Sequence, residues 1–162
     1  MAFASHPTDG LNDAQFLAAV QAATISGPQF RHVDHLRVAW ICLQAEDFAN
    51  GAARFCRLFR SYIRSIGAEA KYHETITWFF LVVMNQRVRT GIEPESWEQF
   101  AARNPDLITR GAAILYANYD AATLAKPEAR RIFIFPTISS IGPDSAPAVA
   151  PMPGAAAATR AG

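Results

Sequence analysis

Apolar residues recur every three or four positions along most of this sequence, which is the spacing of one face of an α-helix. The pattern is clearest between residues 52 and 66, where apolar side chains share one side of a helix and four arginines take the opposite side. The apolar residues of this segment are Phe55, Leu58, Phe59, Tyr62 and Ile66. Helical spacing also covers residues 12–24, 29–45, 71–88, 95–103 and 106–119, and Pro127 suits the start of one last short helix.

These segments predict an all-α protein, a compact bundle of about five to six helices, because strands and helices do not alternate in the pattern. The apolar run 78–84 predicts the central helix of the bundle. The run 131–136 has the composition of a strand but lacks a partner, so we expect an extended segment that packs across the bundle. The predicted boundaries are a flexible N-terminus over residues 1–11, a bundle domain over 12–141 and a disordered tail over 142–162, which is rich in Ala, Pro and Gly.

Composition narrows the classes of function. A net charge of +1 offers no field that would attract nucleic acid. The longest apolar run, 76–84, is far shorter than the about 20 residues that cross a bilayer, and the N-terminus lacks the pattern of a secretory signal. We therefore expect a cytoplasmic protein without nucleic-acid or membrane partners, with Cys42 and Cys56 as buried reduced thiols; assembly as a homodimer stays open.

Three of the four histidines lie in two short motifs at predicted helix starts. The first motif is His32-Val-Asp-His-Leu-Arg-Val-Ala-Trp40, and the second is Tyr72-His-Glu-Thr-Ile-Thr77. Side chains three residues apart on a helix can converge on one point. If the helix between the motifs runs antiparallel to both, His32, His35 and His73 meet at one end of the bundle. Three imidazoles would leave a divalent metal such as Zn²⁺ or Fe²⁺ with open positions for water and substrate.

Residues beside the histidines complete the predicted site. The candidates for acid–base catalysis or for polar contacts to a substrate are Glu74, Arg37 and Tyr72. The candidates for substrate binding are Trp40, Thr77 and Trp78. Glu74 would act as a general base, or would orient an imidazole, if its side chain turns towards the histidines.

Three functions fit these residues. The first is a metal-dependent enzyme that acts on a small molecule, either a hydrolase or an oxygenase. The second is a metal-free protein that binds a small molecule through the same histidines, with Arg37 or Tyr72 recognising a polar or acidic group. The third is a structural or interaction protein whose histidines are core polar residues. The arginine stripe of helix 52–66 is interpreted as a solvated face rather than a phosphate site.

The two motifs resemble an uncharacterised family of small helical bacterial proteins. The resemblance covers His32–Trp40 and Tyr72–Thr77 and extends more loosely to about Arg131. It implies that the two motifs belong together, and it supplies no activity. The chain is also similar in architecture to DinB-like bundles, small four-helix proteins with a three-histidine metal site at one end. The histidine pair of those bundles is spaced four apart on a late helix, whereas here the pair is three apart on an early one.

Overall fold

A computed structural model describes residues 8–91 and 94–137, and within them the protein is all-α, without a β-strand. The helices are α1 (Asp13–Gln21), α2 (His32–Ala45), α3 (Phe48–Ser65), α4 (Glu74–Arg89), α5 (Trp97–Arg103), α6 (Pro105–Tyr116), α7 (Ala121–Ala125) and α8 (Pro127–Arg131). The six longest confirm the predicted bundle of five to six helices. The predicted tail 142–162 and residues 1–7 of the predicted N-terminal segment lie outside the described residues.

Side-chain caps explain where the first long helices begin. Asn12 accepts a hydrogen bond from the backbone N–H of Gln15 (2.9 Å), and the Gln15 amide oxygen accepts one from the backbone N–H of Asn12 (3.0 Å). This reciprocal capping box satisfies two backbone donors that the helix leaves unpaired. Asp47 caps α3 in a similar way, since its carboxylate accepts from the N–H of Asn50 at 3.0 Å. Helix α3 therefore begins four residues before the predicted position.

The central helix of the bundle is α2, which packs against α3, α4 and α6. Its buried residues follow one another almost without a gap and are Asp34, Leu36, Arg37, Val38, Ala39, Trp40, Cys42 and Leu43. The prediction gave the central position to α4, and this was wrong. The apolar residues of α4 go all round the helix, yet neighbours cover only part of its surface and Val82 is 49% exposed.

Helices α2 and α4 run in the same direction, and α3 runs between them in the opposite one. Arg89, at the C-terminal end of α4, donates hydrogen bonds to the carbonyls of Leu43 (2.9 Å) and Glu46 at the C-terminal end of α2. Near its own start, α3 places Gly51 against that same end of α2, where a Cβ atom would lie 2.8 Å from the Cys42 carbonyl oxygen. Glycine thus permits close packing, and the predicted up-down-up arrangement is confirmed.

The segment after α8 is extended and lies across the bundle, as predicted. The buried hydroxyl of Thr75 on α4 donates to the carbonyl of Ile132 (2.8 Å) and accepts from the N–H of Ile134 (3.1 Å). The Tyr119 hydroxyl donates to the carbonyl of Ile134 at 2.6 Å. These bonds satisfy backbone groups that a lone strand would leave unpaired.

Residues 8–11 pack on α2 although the prediction assigned them to a flexible segment. The Thr8 hydroxyl donates to the buried carboxylate of Asp34 (3.2 Å), and the Leu11 carbonyl accepts from Arg37 (2.7 Å).

Both cysteines are free thiols, and burial raises the pKa of Cys42 to about 11. In the described parts of the chain, every helix is too short or too polar to cross a membrane.

Candidate functional site

A cavity of about 250 Å³ lies between α2, α3 and α4, at the end of the bundle where α2 and α4 begin. Its apolar walls are formed by Leu36, Ala39, Phe55, Phe59, Ile76, Phe80, Leu81 and Met84. Its polar lining consists of His32, His35, Lys71, Tyr72, His73 and Thr77. The exposed residues His32 and Lys71 mark the mouth of this α2–α3–α4 cavity, and the buried residues Ala39, Leu81 and Met84 mark its floor. The fold therefore brings the three predicted histidines to one cavity, together with Tyr72 and Thr77.

His32 is an exposed residue at the first position of α2 whose ring leans on α6. Its Nε2 atom lies 3.0 Å from the carbonyl oxygen of Leu107. Because a carbonyl only accepts hydrogen bonds, Nε2 carries the proton in this contact. A Cβ atom on the buried Gly111 would overlap Nε2 and lie 2.9 Å from Cε1, so glycine leaves room for the ring. His32 keeps one ring nitrogen, Nδ1, for another partner.

His35 lies half-buried between two aromatic rings. The edge-to-face contacts have centroid distances of 4.5 Å to Phe30 and 4.9 Å to Phe59. Burial, with a smaller contribution from the nearby His32, lowers the pKa of His35 to about 4, and a backbone hydrogen bond with Arg31 opposes this shift. The imidazole is therefore neutral at neutral pH and offers the cavity one donor or one acceptor.

His73 is the N-cap of α4 rather than a residue of the helix. Its Nδ1 atom accepts a hydrogen bond from the N–H of Ile76 (3.3 Å), and its Nε2–H donates to the carbonyl of Leu124 on α7 (2.9 Å). The side chain is 8% exposed. Both ring nitrogens are thus used by the backbone, and His73 fastens α7 to the start of α4.

The described residues contain no group of three or more His, Cys, Asp or Glu side chains that could hold a metal ion. The contacts of His73 supply a physical reason, because coordination through either nitrogen would break a buried hydrogen bond. The three-histidine metal site has no support in this geometry and stays a prediction.

Tyr72 lines the cavity with its ring. Its hydroxyl points to an ionic cluster formed by Arg60 of α3 with Glu74 and Trp78 of α4. The hydroxyl accepts a hydrogen bond from Arg60 at 3.2 Å, and the Arg60 guanidinium lies 4.9 Å from the centre of the Tyr72 ring. Burial is the main cause that raises the pKa of Tyr72 to about 12; the hydrogen bond to Glu74 adds to the shift and that to Arg60 opposes it. The phenol thus stays protonated and contributes shape and polarity.

Glu74 and Trp78, predicted as site residues, belong to this ionic cluster and do not line the cavity. One carboxylate oxygen of Glu74 accepts from Arg60 (2.8 Å), and the other accepts from the indole N–H of Trp78 (2.8 Å). Neighbouring helical residues point about 100° apart, so the residue after His73 faces away from it. Glu74 therefore stabilises the α3–α4 contact instead of serving as the predicted base.

Arg37 and Trp40 are also placed away from the predicted site. The Arg37 guanidinium pairs with Asp13 (2.9 Å) and lies 4.7 Å from the centre of the Phe16 ring, so it fastens α1 to α2. Trp40 packs against the ring of Trp97 with a centroid distance of 5.9 Å. Both side chains face neighbours other than α3 and α4, and this removes them from the cavity.

Sequence reasoning missed Lys71, which precedes the Tyr72–Thr77 motif in a 3₁₀ turn over Glu69–Lys71. The available signal was its position beside that motif. The apolar walls from α3, Phe55 and Phe59, were predicted as core residues only.

Comparisons with protein-family models, curated proteins and solved structures gave no match for this chain.

Proposed function

We propose that the protein binds a small, largely apolar molecule in the α2–α3–α4 cavity without needing a metal ion. The observation that carries the proposal is a cavity of about 250 Å³ with aromatic and aliphatic walls and a few polar groups at one end. Ligand sites in proteins commonly have this composition, because apolar walls supply affinity and a few polar groups orient the ligand. The volume lies just below the roughly 300–1,000 Å³ of sites for drug-sized molecules, which favours a smaller ligand.

The polar groups of the cavity support binding rather than metal coordination. His35 is neutral and held between Phe30 and Phe59, so its ring is already ordered before a ligand arrives. The Thr77 hydroxyl lines the same space. A preordered lining lowers the entropy cost of binding. A metal-dependent enzyme is the competing proposal, and the two backbone bonds of His73 weigh against it.

Titration with 3-phenylpropan-1-ol, a neutral probe with an apolar body, tests the proposal by backbone-amide NMR. Shifts should cluster at the start of α2 and α4 and in the middle of α3. The Ala39→Leu variant fills the floor of the cavity, where Ala39 is 4% exposed, and should weaken binding at least about fivefold, equivalent to ~1 kcal/mol. Thr77→Leu fills the cavity from a partly exposed position and should act in the same direction.

Ala53→Leu is the matched control, because Ala53 is an exposed residue of α3 outside the cavity lining. It should leave the affinity unchanged. Equal weakening by Ala39→Leu and Ala53→Leu, or shifts scattered over the surface, would contradict the proposal. Circular dichroism of each variant establishes that the fold is retained.

A further inference from the structure

The mouth of the α2–α3–α4 cavity carries a lysine. Lys71 is exposed and lies in the turn that leads from α3 into α4, and it lines the cavity next to Tyr72. An ammonium group on a flexible stem can reach over the edge of such a cavity while it remains partly in water.

The charges around the mouth are unbalanced. All residues that line the cavity belong to the described part of the chain, and none of them is an Asp or a Glu. The carboxylates close to Lys71 in the sequence already have cationic partners: Glu69 pairs with Arg64 (3.4 Å) and Glu74 pairs with Arg60 (2.8 Å). Within residues 8–91 and 94–137, no ion pair joins Lys71 to a carboxylate.

A second cation lies behind the same turn. Arg130 on α8 donates hydrogen bonds to the carbonyls of Ala70 (3.2 Å) and Tyr72 (3.3 Å), the two neighbours of Lys71. In the described residues Arg130 has no carboxylate partner either. The N-terminal ends of α2 and α4 meet at this mouth, and their dipoles add positive potential. The mouth therefore favours a negative charge.

We propose that the ligand of the cavity is a small monocarboxylic acid with an apolar body, whose carboxylate is bound at the mouth by Lys71. This inference rests on the proposed function, since it concerns the ligand of the same cavity. The apolar body lies against Phe55, Phe59 and Phe80, and the carboxylate stays at the rim, where it keeps part of its hydration. A charge-assisted hydrogen bond at such a half-exposed position adds affinity because neither ion is fully desolvated.

Two probes with the same body separate the two proposals. 3-Phenylpropanoate and 3-phenylpropan-1-ol share the phenyl ring and the three-carbon chain and differ in the anionic group. The acid should bind about tenfold more tightly than the alcohol, the increment expected for a hydrogen bond to a charged group. Higher ionic strength should weaken binding of the acid and leave binding of the alcohol unchanged.

Lysine variants locate the effect. Lys71→Gln should reduce the affinity for the acid about tenfold and leave the affinity for the alcohol within twofold. Lys126→Gln is the matched control, because Lys126 is the other lysine of the sequence, is exposed, and lies outside the cavity lining. It should change neither affinity.

Each outcome has a separate meaning. Equal affinity of the two probes, or an unchanged affinity for the acid in Lys71→Gln, would overturn the carboxylate proposal and leave small-molecule binding in place. Absence of binding for both probes would overturn the proposed function itself. Preference for the acid that disappears in Lys71→Gln alone supports both.

Discussion

The three histidines of the two motifs have different roles in this protein because their surroundings differ. His32 is exposed and bonded to the Leu107 carbonyl, His35 is enclosed by Phe30 and Phe59, and His73 uses both ring nitrogens for the backbone. His35 lines the cavity wall between two aromatic rings, and its ring is neutral because burial lowers its pKa to about 4. It is the histidine best suited to contact a ligand.

The stability of the protein should fall between about pH 6.5 and pH 4 because of His35. The folded-state pKa is lowered from 6.5 to about 4, so within this window the unfolded chain binds a proton that the folded protein does not. The stability that the neutral His35 ring contributes is fully present above pH 6.5, the pKa of the unfolded chain. It is lost as the pH falls towards 4, and the total loss is about 3 kcal/mol. Urea denaturation at several pH values measures it, with His35→Phe as the variant that lacks the group. Parallel loss of stability in both proteins would contradict the prediction.

At the scale of elements, the start of α4 organises the second half of the bundle. His73 caps the helix and binds α7, and two residues later Thr75 binds the extended segment at Ile132 and Ile134. The Tyr72–Thr77 motif thus has a structural role that is separate from any site. This role accounts for the buried positions of His73 and Thr75.

Variants of His73 test the capping role. His73→Ala removes the N-cap and the bond to Leu124 and should lower the free energy of unfolding by about 2–3 kcal/mol. His73→Asn keeps a good N-cap residue but cannot reach Leu124 in the same way, so its loss should be roughly half as large. Urea denaturation midpoints give both values. An asparagine variant as unstable as the alanine variant would show that capping contributes little.

At the scale of the whole molecule, the cavity results from the directions in which α2, α3 and α4 run. Because α3 reverses the chain between α2 and α4, the two helices begin at the same end, and the residues before and within their first turns face a common space. The walls then come from three different helices. A change at the cavity-lining positions of any of these three helices should therefore alter ligand binding.

A bound ligand should stabilise the whole protein without a metal. At a free concentration ten times its Kd, 3-phenylpropanoate should raise the free energy of unfolding by about 1.4 kcal/mol, from mass action. The increment should be the same with and without EDTA, in thermal or urea unfolding. An increment that disappears in EDTA and returns with Zn²⁺ or Fe²⁺ would favour the three-histidine metal site instead.

The sequence was sufficient for the helices other than α7, for their approximate ends, for the reversal through α3 and for the association of the two histidine motifs. These features depend on short-range physics: apolar periodicity, the cap at Asn12, and short connections that make neighbouring helices antiparallel. The positive φ of Gly67, two residues after the end of α3, is a further local signal. They can be predicted because the information lies within a few turns of the chain. The extended segment at 132–137 was predictable for the same reason, as a strand-like run without a partner.

Tertiary structure alone settled which polar side chains face the cavity. Arg37 pairs with Asp13, and Glu74 binds Arg60 and Trp78. Lys71 lines the cavity, which was not predicted. The positions of Arg37 and Glu74 depend on partners more than ten residues away on other helices, Asp13 and Arg60. Periodicity places a residue on a face of its helix, but the neighbour that covers this face is chosen by the packing of the whole chain.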